Sequence, residues 1–268
     1  MNMDRGVYAD LVTEGQALDD LVAGLEPAQW RLATPAPGWT ITHQIAHLAS
    51  TAQLAAAAAA DPALFRAQTA GAPKDFDSAL RGLLAPFLDS PPHELLIRWR
   101  AARTAGAEAL SALPPGLPLP WLSRPLPAGM LASAGIMELF AHGQDIADAL
   151  GVERQHTDLI RHVVRFAIGN WDFGYLVRRL APPDGGLRFD LVAPSGARWT
   201  AGRREAAERV SGPAADFCLL ATRRRHRDDL ALTASGPEAD RWLDIAQAYR
   251  GSPGPGRAPG QFARPSAA

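Results

Sequence analysis

The stretch AGMLASAGIMELFAHGQDIADAL, residues 128–150, is a long, uninterrupted helical pattern in this 268-residue chain. It contains no proline, and Gly151 follows it directly, which is a typical helix stop signal. Apolar side chains such as Ile136, Leu139 and Phe140 recur at helical spacing, so we expect one face of this helix to contribute to a core. We therefore expect this helix to be part of the core in the first half of the chain.

Further helical patterns precede it, and turn-forming residues separate them. Residues 7–25 carry apolar side chains that are mostly three or four positions apart, and residues 41–60, ITHQIAHLASTAQLAAAAAA, are rich in strong helix formers. Shorter or less regular helices are predicted over residues 76–88 and 93–112. Prolines interrupt residues 113–127, LPPGLPLPWLSRPLP, which we expect to be a long loop. Together these patterns predict an antiparallel helical bundle.

The pattern changes to mixed helix and strand after Gly151. Residues 187–194, LRFDLVAP, alternate between apolar and polar side chains as a strand does, and residues 197–202 can pair back on them as a hairpin. The other predicted elements are helices over residues 157–181, 213–225 and 237–250 and a strand over residues 229–235.

This change predicts two domains and a tail. We expect residues 1–152 to form the helical bundle and residues 153–252 to form an α+β domain. Residues 253–268 are too rich in proline and glycine for regular structure and are expected to be an irregular tail.

Composition excludes several classes of protein. Hydrophobic residues make up 47% and charged residues 21%, as in ordinary globular proteins. The 27 basic and 28 acidic residues nearly cancel, which gives no electrostatic reason to expect binding to nucleic acid or to an anionic membrane. The single cysteine, Cys218, excludes a disulfide within the chain and lies in the apolar run DFCLLA, where we expect it to be buried.

The same features bear on location and partners. The N-terminal residues are polar, and no run of 18 apolar residues occurs, so neither a signal peptide nor a transmembrane helix is expected. We therefore expect a cytoplasmic protein that acts on a small-molecule substrate, with no nucleic-acid or membrane partner. Either a monomer or a homodimer fits the sequence.

Two of the helices carry metal-binding side chains four residues apart. His43 and His47 lie on the second helix, and Glu138 and His142 lie on the helix over residues 128–150. Residues at positions i and i+4 share a helix face. Helical bundles bind metals through inward-facing carboxylates and imidazoles on adjacent helices. On spacing alone, each of these histidines could also be an ordinary core or surface residue.

His47, Glu138 and His142 are the candidate ligand set. Three protein ligands leave one position of a zinc ion open for water or substrate. Two histidines and a carboxylate also suit iron(II), and nickel is a further alternative. Asp145 lies three residues after His142 and could accept the remaining ring N–H of a ligating histidine.

These segments resemble a known family. PGWTITHQIAHLAS (residues 37–50) and MELFAHGQDIADALG (residues 137–151) resemble the two metal-binding helices of the DinB-like mycothiol-dependent enzymes, which include mycothiol-dependent maleylpyruvate isomerase. VSGPAADFCLLATRRR (residues 210–225) is similar to the sterol-carrier-like domain of that isomerase. The ending WLDIAQAYRGSPGPGR resembles an uncharacterised actinobacterial subfamily of metal-binding proteins. This resemblance implies a DinB-like four-helix bundle followed by a small sterol-carrier-like α+β domain.

The resemblance also implies roles for particular residues. His47, Glu138 and His142 match the positions that bind a divalent metal in the family, usually zinc. Position 43 is commonly acidic in relatives, so His43 is a departure, and it is expected at the rim of the site or at the surface. The active-site arginine of the second domain corresponds to Arg224, and Arg223 replaces the glycine that usually precedes that arginine.

Three functions follow from these residues. The first is a metal-dependent transferase or isomerase that uses mycothiol as co-substrate and acts on a small electrophilic or carboxylate-bearing molecule. The second is a thiol-independent hydrolase, cyclase or rearrangement enzyme of specialised metabolism that uses the metal alone. The third is a non-catalytic metal-binding or ligand-binding module, which a fourth protein ligand such as His43 would favour.

Overall fold

The computed structural model describes residues 6–70, 76–122, 124–249 and 251–262. The chain divides into two compact units, Met1–Arg154 and Gln155–Ala268. Within the described ranges, every helix is too short or too polar to cross a membrane.

Within its described residues, the first unit contains six α-helices, a 3-10 helix (Gln29–Arg31) and one short pair of strands. The helices predicted over residues 7–25, 41–60, 76–88, 93–112 and 128–150 are confirmed, with small changes at their ends. The elements are α1 (Gly6–Val22), α2 (Ile41–Ala60), α3 (Pro62–Thr69), α4 (Phe76–Leu88), α5 (Pro92–Ser111), β1 (Pro118–Leu119), β2 (Leu126–Pro127) and α6 (Ala128–Leu150).

The four long helices form a bundle in which each packs against two neighbours, in the cyclic order α1, α6, α2, α5. Each of them contributes a fully buried apolar side chain to one core, namely Leu18, Ile45, Trp99 and Ile146. The short helices α3 and α4 pack on the outside of α2. Because α2 and α6 are neighbours in this ring, side chains on their facing surfaces can meet.

The segment over residues 113–127 is more ordered than the predicted loop. Within it, Pro118–Leu119 and Leu126–Pro127 pair as the antiparallel strands β1 and β2, with Leu119 opposite Leu126. The indole of Trp121 stacks on the ring of Phe65 in α3 with 5.6 Å between centroids. The prediction failed here because prolines exclude a helix but tolerate a two-residue edge pairing.

The second unit is a four-stranded sheet with helices packed against it. The sheet has the order β4, β3, β5, β6, in which β3 and β5 are parallel and the other two pairs are antiparallel. The elements are α7 (Arg161–Gly169), α8 (Phe173–Leu176), β3 (Arg188–Val192), β4 (Arg198–Gly202), β5 (Arg209–Pro213), α9 (Ala214–Ala221), β6 (Thr233–Ser235) and α10 (Pro237–Ile245).

Three aromatic rings form the centre of this unit. Phe189 of β3, Phe217 of α9 and Trp242 of α10 are almost fully buried, and their ring centroids lie 5.3–5.7 Å apart. Such pairs contribute about 0.5–1.5 kcal/mol each beyond the burial of their area. The apolar residues of the alternating pattern that predicted β3 are therefore the ones that face α9 and α10.

Several predicted bounds in the second unit are wrong. The helix over residues 157–181 is divided into α7 and α8, because the chain leaves the helical path at Asn170, whose side-chain amide donates to the carbonyl of Phe166. The helix over residues 213–225 ends at Ala221, and Arg223 adopts a left-handed conformation with φ of 60°. Strand β6 and helix α10 are shorter than the predicted strand over residues 229–235 and helix over residues 237–250, and β5 was not predicted. In the first unit, α3 was not predicted either.

The C-terminal tail has no helix or strand in residues 251–262, yet it packs against the loop after α9. Arg225 lies over the ring of Phe262 with 4.2 Å from guanidinium carbon to centroid. The amide of Gly260 donates to Asp229 Oδ1 at 2.8 Å. Residues 263–268 lie outside the described part of the chain.

Replacing Gly202 by alanine should destabilise the second unit strongly. Gly202 has φ of 83°, and an added Cβ would lie 2.2 Å from the carbonyl oxygen of Leu187. Gly196 is a matched control, because its φ is 86° and an added Cβ would meet no atom within 4 Å. We expect Gly196→Ala to cost about 1–2 kcal/mol from left-handed strain and Gly202→Ala to cost a further ~1–3 kcal/mol from overlap. Urea unfolding of the full chain measures both, and equal losses would contradict the steric argument.

Candidate metal centre

The helix that carries His47 begins with a side-chain cap made by His43. Thr40 occupies the N-cap position of α2, and its backbone amide donates to His43 Nδ1 at 3.2 Å. The Thr40 hydroxyl lies 2.8 Å from the same nitrogen. Burial lowers the pKa of His43, which favours the neutral ring that can accept these hydrogen bonds. A residue three positions after the N-cap is commonly Glu or Gln for the same reason, so His43 serves here as the capping side chain.

His47, Glu138 and His142 meet at the interface of α2 and α6. His47 Nε2 lies 3.2 Å from Glu138 Oε2, and His142 Nε2 lies 3.1 Å from the same oxygen. Potential ligand atoms of the three side chains all lie within 4.8 Å of one another. Glu138 and His142 share a face of α6 because they are four residues apart, and α2 supplies the third residue from across the interface.

The three side chains lie mostly inside the bundle. The side chains of His47 and His142 are 12% and 11% exposed, and that of Glu138 is 24% exposed. Burial alone would raise the pKa of Glu138, but the hydrogen bonds and positive charge offered by His142 and His47 outweigh this effect and hold the pKa well below its usual range. Glu138 is therefore a carboxylate at every pH at which the protein is expected to work.

The indole of Trp39 covers the two imidazoles. Its ring stacks on His142 with 5.8 Å between centroids and an interplanar angle of 19°, and it lies 5.6 Å from the ring of His47. The ring of His43 is 6.3 Å away on the same side. Trp39 therefore forms part of the wall of the site and restricts the orientation of both imidazoles.

A polar side chain that sequence reasoning missed completes the surroundings of His142. Gln44 is fully buried on α2, and its Oε1 is hydrogen-bonded to His142 Nδ1. Its Nε2 donates to Thr34 Oγ1 at 2.8 Å and lies 3.5 Å from Asp145 Oδ2. Asp145 is also fully buried. Gln44 lies beside His142 Nδ1, whereas the sequence suggested Asp145 as the partner of a ligating histidine, and that role of Asp145 stays a prediction.

The geometry of the three residues fits a divalent metal. In a tetrahedral site with metal–ligand distances of about 2.0–2.2 Å, neighbouring ligand atoms lie roughly 3.3–3.5 Å apart. The two measured nitrogen–oxygen distances of 3.2 and 3.1 Å are close to this separation. Two imidazoles and one carboxylate would leave an open coordination position, and the same set suits zinc, iron(II) or nickel.

Two other residues of interest lie in the second unit. Arg224 is buried there, and its Nη1 donates to the carbonyl oxygen of Thr222 at 2.6 Å. Its assignment as the substrate-binding arginine remains a prediction. Cys218 is fully buried, and burial raises the pKa of its thiol well above the usual value, so it does not resemble a nucleophile.

A four-helix bundle whose neighbouring helices bring two histidines and a glutamate together defines a DinB-like protein. The sequence profile described as mycothiol maleylpyruvate isomerase N-terminal domain matches residues 11–147. Uncharacterized proteins from two strains of Mycobacterium tuberculosis are each 44% identical over 259 residues, which is 95% of this chain and 99% of theirs. The chain belongs to the mycothiol maleylpyruvate isomerase N-terminal domain family, as the sequence motifs predicted.

Known structures agree on the fold over nearly the whole chain. Crystal structures of the mycothiol-dependent maleylpyruvate isomerase and of a histidine-to-alanine mutant of it align with TM-scores of 0.59 and 0.60. They are 16% and 17% identical and cover 89% of this chain and 96% of theirs, which confirms the predicted fold class. A second profile, described as wyosine base formation, matches residues 189–235 within the second unit.

Replacing His43 by alanine tests its role as a helix cap. We expect His43→Ala to lose about 1 kcal/mol of stability, because the amide of Thr40 loses its acceptor. His43→Gln should retain most of that stability, since glutamine can accept the same hydrogen bond. Urea unfolding and metal analysis would be made on both variants. Loss of bound metal from folded His43→Ala would contradict this role and identify His43 as a ligand.

Proposed function

We propose that the protein is a divalent-metal-dependent enzyme that uses mycothiol to transfer or isomerise a small electrophilic or carboxylate-bearing substrate. The observation that carries the proposal is the convergence of His47 and His142 on one oxygen of Glu138. Membership of the family supports the use of mycothiol, because solved relatives are described as mycothiol-dependent isomerases.

The charge of the site suits an anionic sulfur ligand. One carboxylate and two neutral imidazoles carry a single negative charge, so a divalent cation held by them would leave one positive charge. When bound, such a cation would lower the pKa of a thiol at its open position and keep it as a thiolate near neutral pH. Trp39 shields one side of both imidazoles from water, which strengthens electrostatic interactions within the site.

We assign Arg224 to binding an anionic group of the substrate. This assignment rests on the family motif, in which this position is an active-site arginine. A guanidinium can bind a carboxylate through two parallel hydrogen bonds, which fixes both the position and the orientation of the substrate.

The variant Arg224→Lys keeps the charge but loses this planar geometry. It should therefore raise KM for a carboxylate substrate while leaving the bound metal in place.

The donor set favours an enzyme over a closed structural site. Among the described residues, the cluster of potential ligands contains His47, Glu138 and His142 and no fourth member. His43, which could have closed the site, uses its Nδ1 to cap α2. A structural zinc site usually has four protein ligands, whereas catalytic sites keep one position open.

Metal content is the first test of the proposal. We expect about one divalent metal per chain in wild-type protein purified without added metal, and loss of that metal in His47→Ala and His142→Ala. His93→Ala is the matched control, because the side chain of His93 is 75% exposed and pairs only weakly with Glu94 at 3.9 Å. Metal analysis of all four proteins, with circular dichroism to verify folding, gives the answer. Metal-free wild-type protein that also fails to bind added zinc, nickel or iron would refute the proposal.

Whether the protein uses a thiol is tested separately, on the metal-loaded protein. Mycothiol should bind the loaded wild-type protein and should fail to bind His142→Ala, as measured by isothermal titration calorimetry. Turnover would be assayed on maleylpyruvate, the substrate in the name of the relatives, and on other small electrophiles. Metal binding without any effect of mycothiol would favour the thiol-independent enzyme instead.

Proton release on metal binding tests the electrostatics of Glu138. Protons and metal compete for the ligand atoms, so metal binding releases any proton that the ligand atoms of His47, Glu138 or His142 carry in the metal-free protein. Glu138 should release none between pH 5 and 7, because its pKa is held well below the usual range and the carboxylate is already ionised. Calorimetry in buffers of different ionisation enthalpy counts these protons. A count of about three at pH 5 would contradict the lowered pKa.

A further inference from the structure

The hydrogen bonds around Gln44 have only one consistent direction. The backbone carbonyl of Trp39 can only accept, so the Thr34 hydroxyl donates to it at 3.0 Å. Thr34 Oγ1 has then used its proton and accepts from Gln44 Nε2 at 2.8 Å. The opposite orientation of the Gln44 amide would also place its oxygen 3.5 Å from the Asp145 carboxylate, where two acceptors would repel each other. Both neighbours therefore fix the amide in the same orientation.

This orientation determines where His142 carries a proton. Gln44 Oε1 is an acceptor and is hydrogen-bonded to His142 Nδ1, so Nδ1 must hold a hydrogen. A neutral imidazole has only one such hydrogen. Its other nitrogen, Nε2, then presents a lone pair toward Glu138 Oε2 at 3.1 Å. Two acceptor atoms at this distance repel unless a positive charge, either a second proton or a metal ion, lies between them.

We propose that Gln44 is a positioning residue of the metal centre, which holds His142 as the Nδ1–H tautomer and so presents the Nε2 lone pair to the cation. The identity of that cation as a metal rests on the proposed function. The residue acts from the opposite helix: α2 carries both Gln44 and the candidate ligand His47, three positions apart. A single turn of α2 therefore supplies one ligand and sets the orientation of another ligand on α6.

A positioning role for Gln44 and a role in core packing alone predict different results for conservative variants. Gln44→Leu removes the acceptor for His142 Nδ1–H but keeps a side chain of similar size. Gln44→Glu keeps an acceptor for the ring N–H, but it loses the donor to Thr34 Oγ1 and brings a second carboxylate oxygen close to Asp145 Oδ2. Thr34→Val removes the group that fixes the amide and keeps the volume. Thr42→Val is the control, since the Thr42 hydroxyl donates to the carbonyl of Trp30, away from the cluster.

Zinc affinity, measured by competition with a chelator, is the first readout. We expect Gln44→Leu to weaken zinc binding by about 10–100-fold, the usual effect of removing a partner of a ligating histidine. Thr34→Val should weaken it less, Gln44→Glu should fall between Gln44→Leu and wild type, and Thr42→Val should stay close to wild type. Thermal unfolding of each metal-free variant verifies that it is folded. Unchanged affinity in folded Gln44→Leu would overturn the proposal.

The tautomer of His142 in metal-free protein is the second readout. Long-range ¹H–¹⁵N spectra at pH 8 should show a proton on Nδ1 of His142 in wild type and in Gln44→Glu, and loss of that preference in Gln44→Leu. A wild-type ring protonated on Nε2 alone would overturn the proposal. If the tautomer behaves as expected but the wild-type protein binds no metal, the positioning role stands and the proposed function fails. If metal binds normally while the tautomer does not depend on Gln44, the proposed function stands and the positioning role fails.

Discussion

One carboxylate oxygen, Glu138 Oε2, organises the first unit of this protein because it faces two imidazoles from two different helices. His142 reaches it along α6, and His47 reaches it from α2. A buried carboxylate in this position is stable only when positive charge or donated hydrogen bonds compensate it. Three features hold Glu138, His142 and His47 in position: the packing of α2 against α6, the covering ring of Trp39 and the amide of Gln44.

The candidate site could be predicted in part because its spacing lies within single helices. Glu138 and His142 are four residues apart, which places them on one face whatever the rest of the fold does. The pairing of His47 with them depends on which helices are neighbours, which the bundle pattern suggested and the family resemblance supported. Gln44 escaped prediction because a lone glutamine on an apolar helix carries no signal. Its partners Thr34 and His142 lie 10 and 98 positions away.

The same distinction holds for the fold: elements specified by their own sequence could be predicted, whereas an element that depends on distant partners could not. Long amphipathic helices and the alternating strand β3 were predicted because each is specified by its own sequence. Strand β5, with sequence RVSGP, has little strand propensity and exists because β3 and β6 pair with it on both sides. The prediction of one helix over residues 157–181 failed because it overlooked a local signal: Gly169 and Asn170 are poor helix formers, and the chain turns at Asn170 before α8.

The contacts between the tail and the loop after α9 have a consequence for how the chain is made. The loop that carries Arg224 is braced by Gly260 and Phe262, which are synthesised after the bundle and after the loop itself. During translation the bundle can assemble well before those residues leave the ribosome, whereas this loop cannot reach its final set of contacts until they have left it. The second unit therefore matures after the first, and a nascent chain would acquire its candidate metal site before its predicted substrate-binding arginine is held in place.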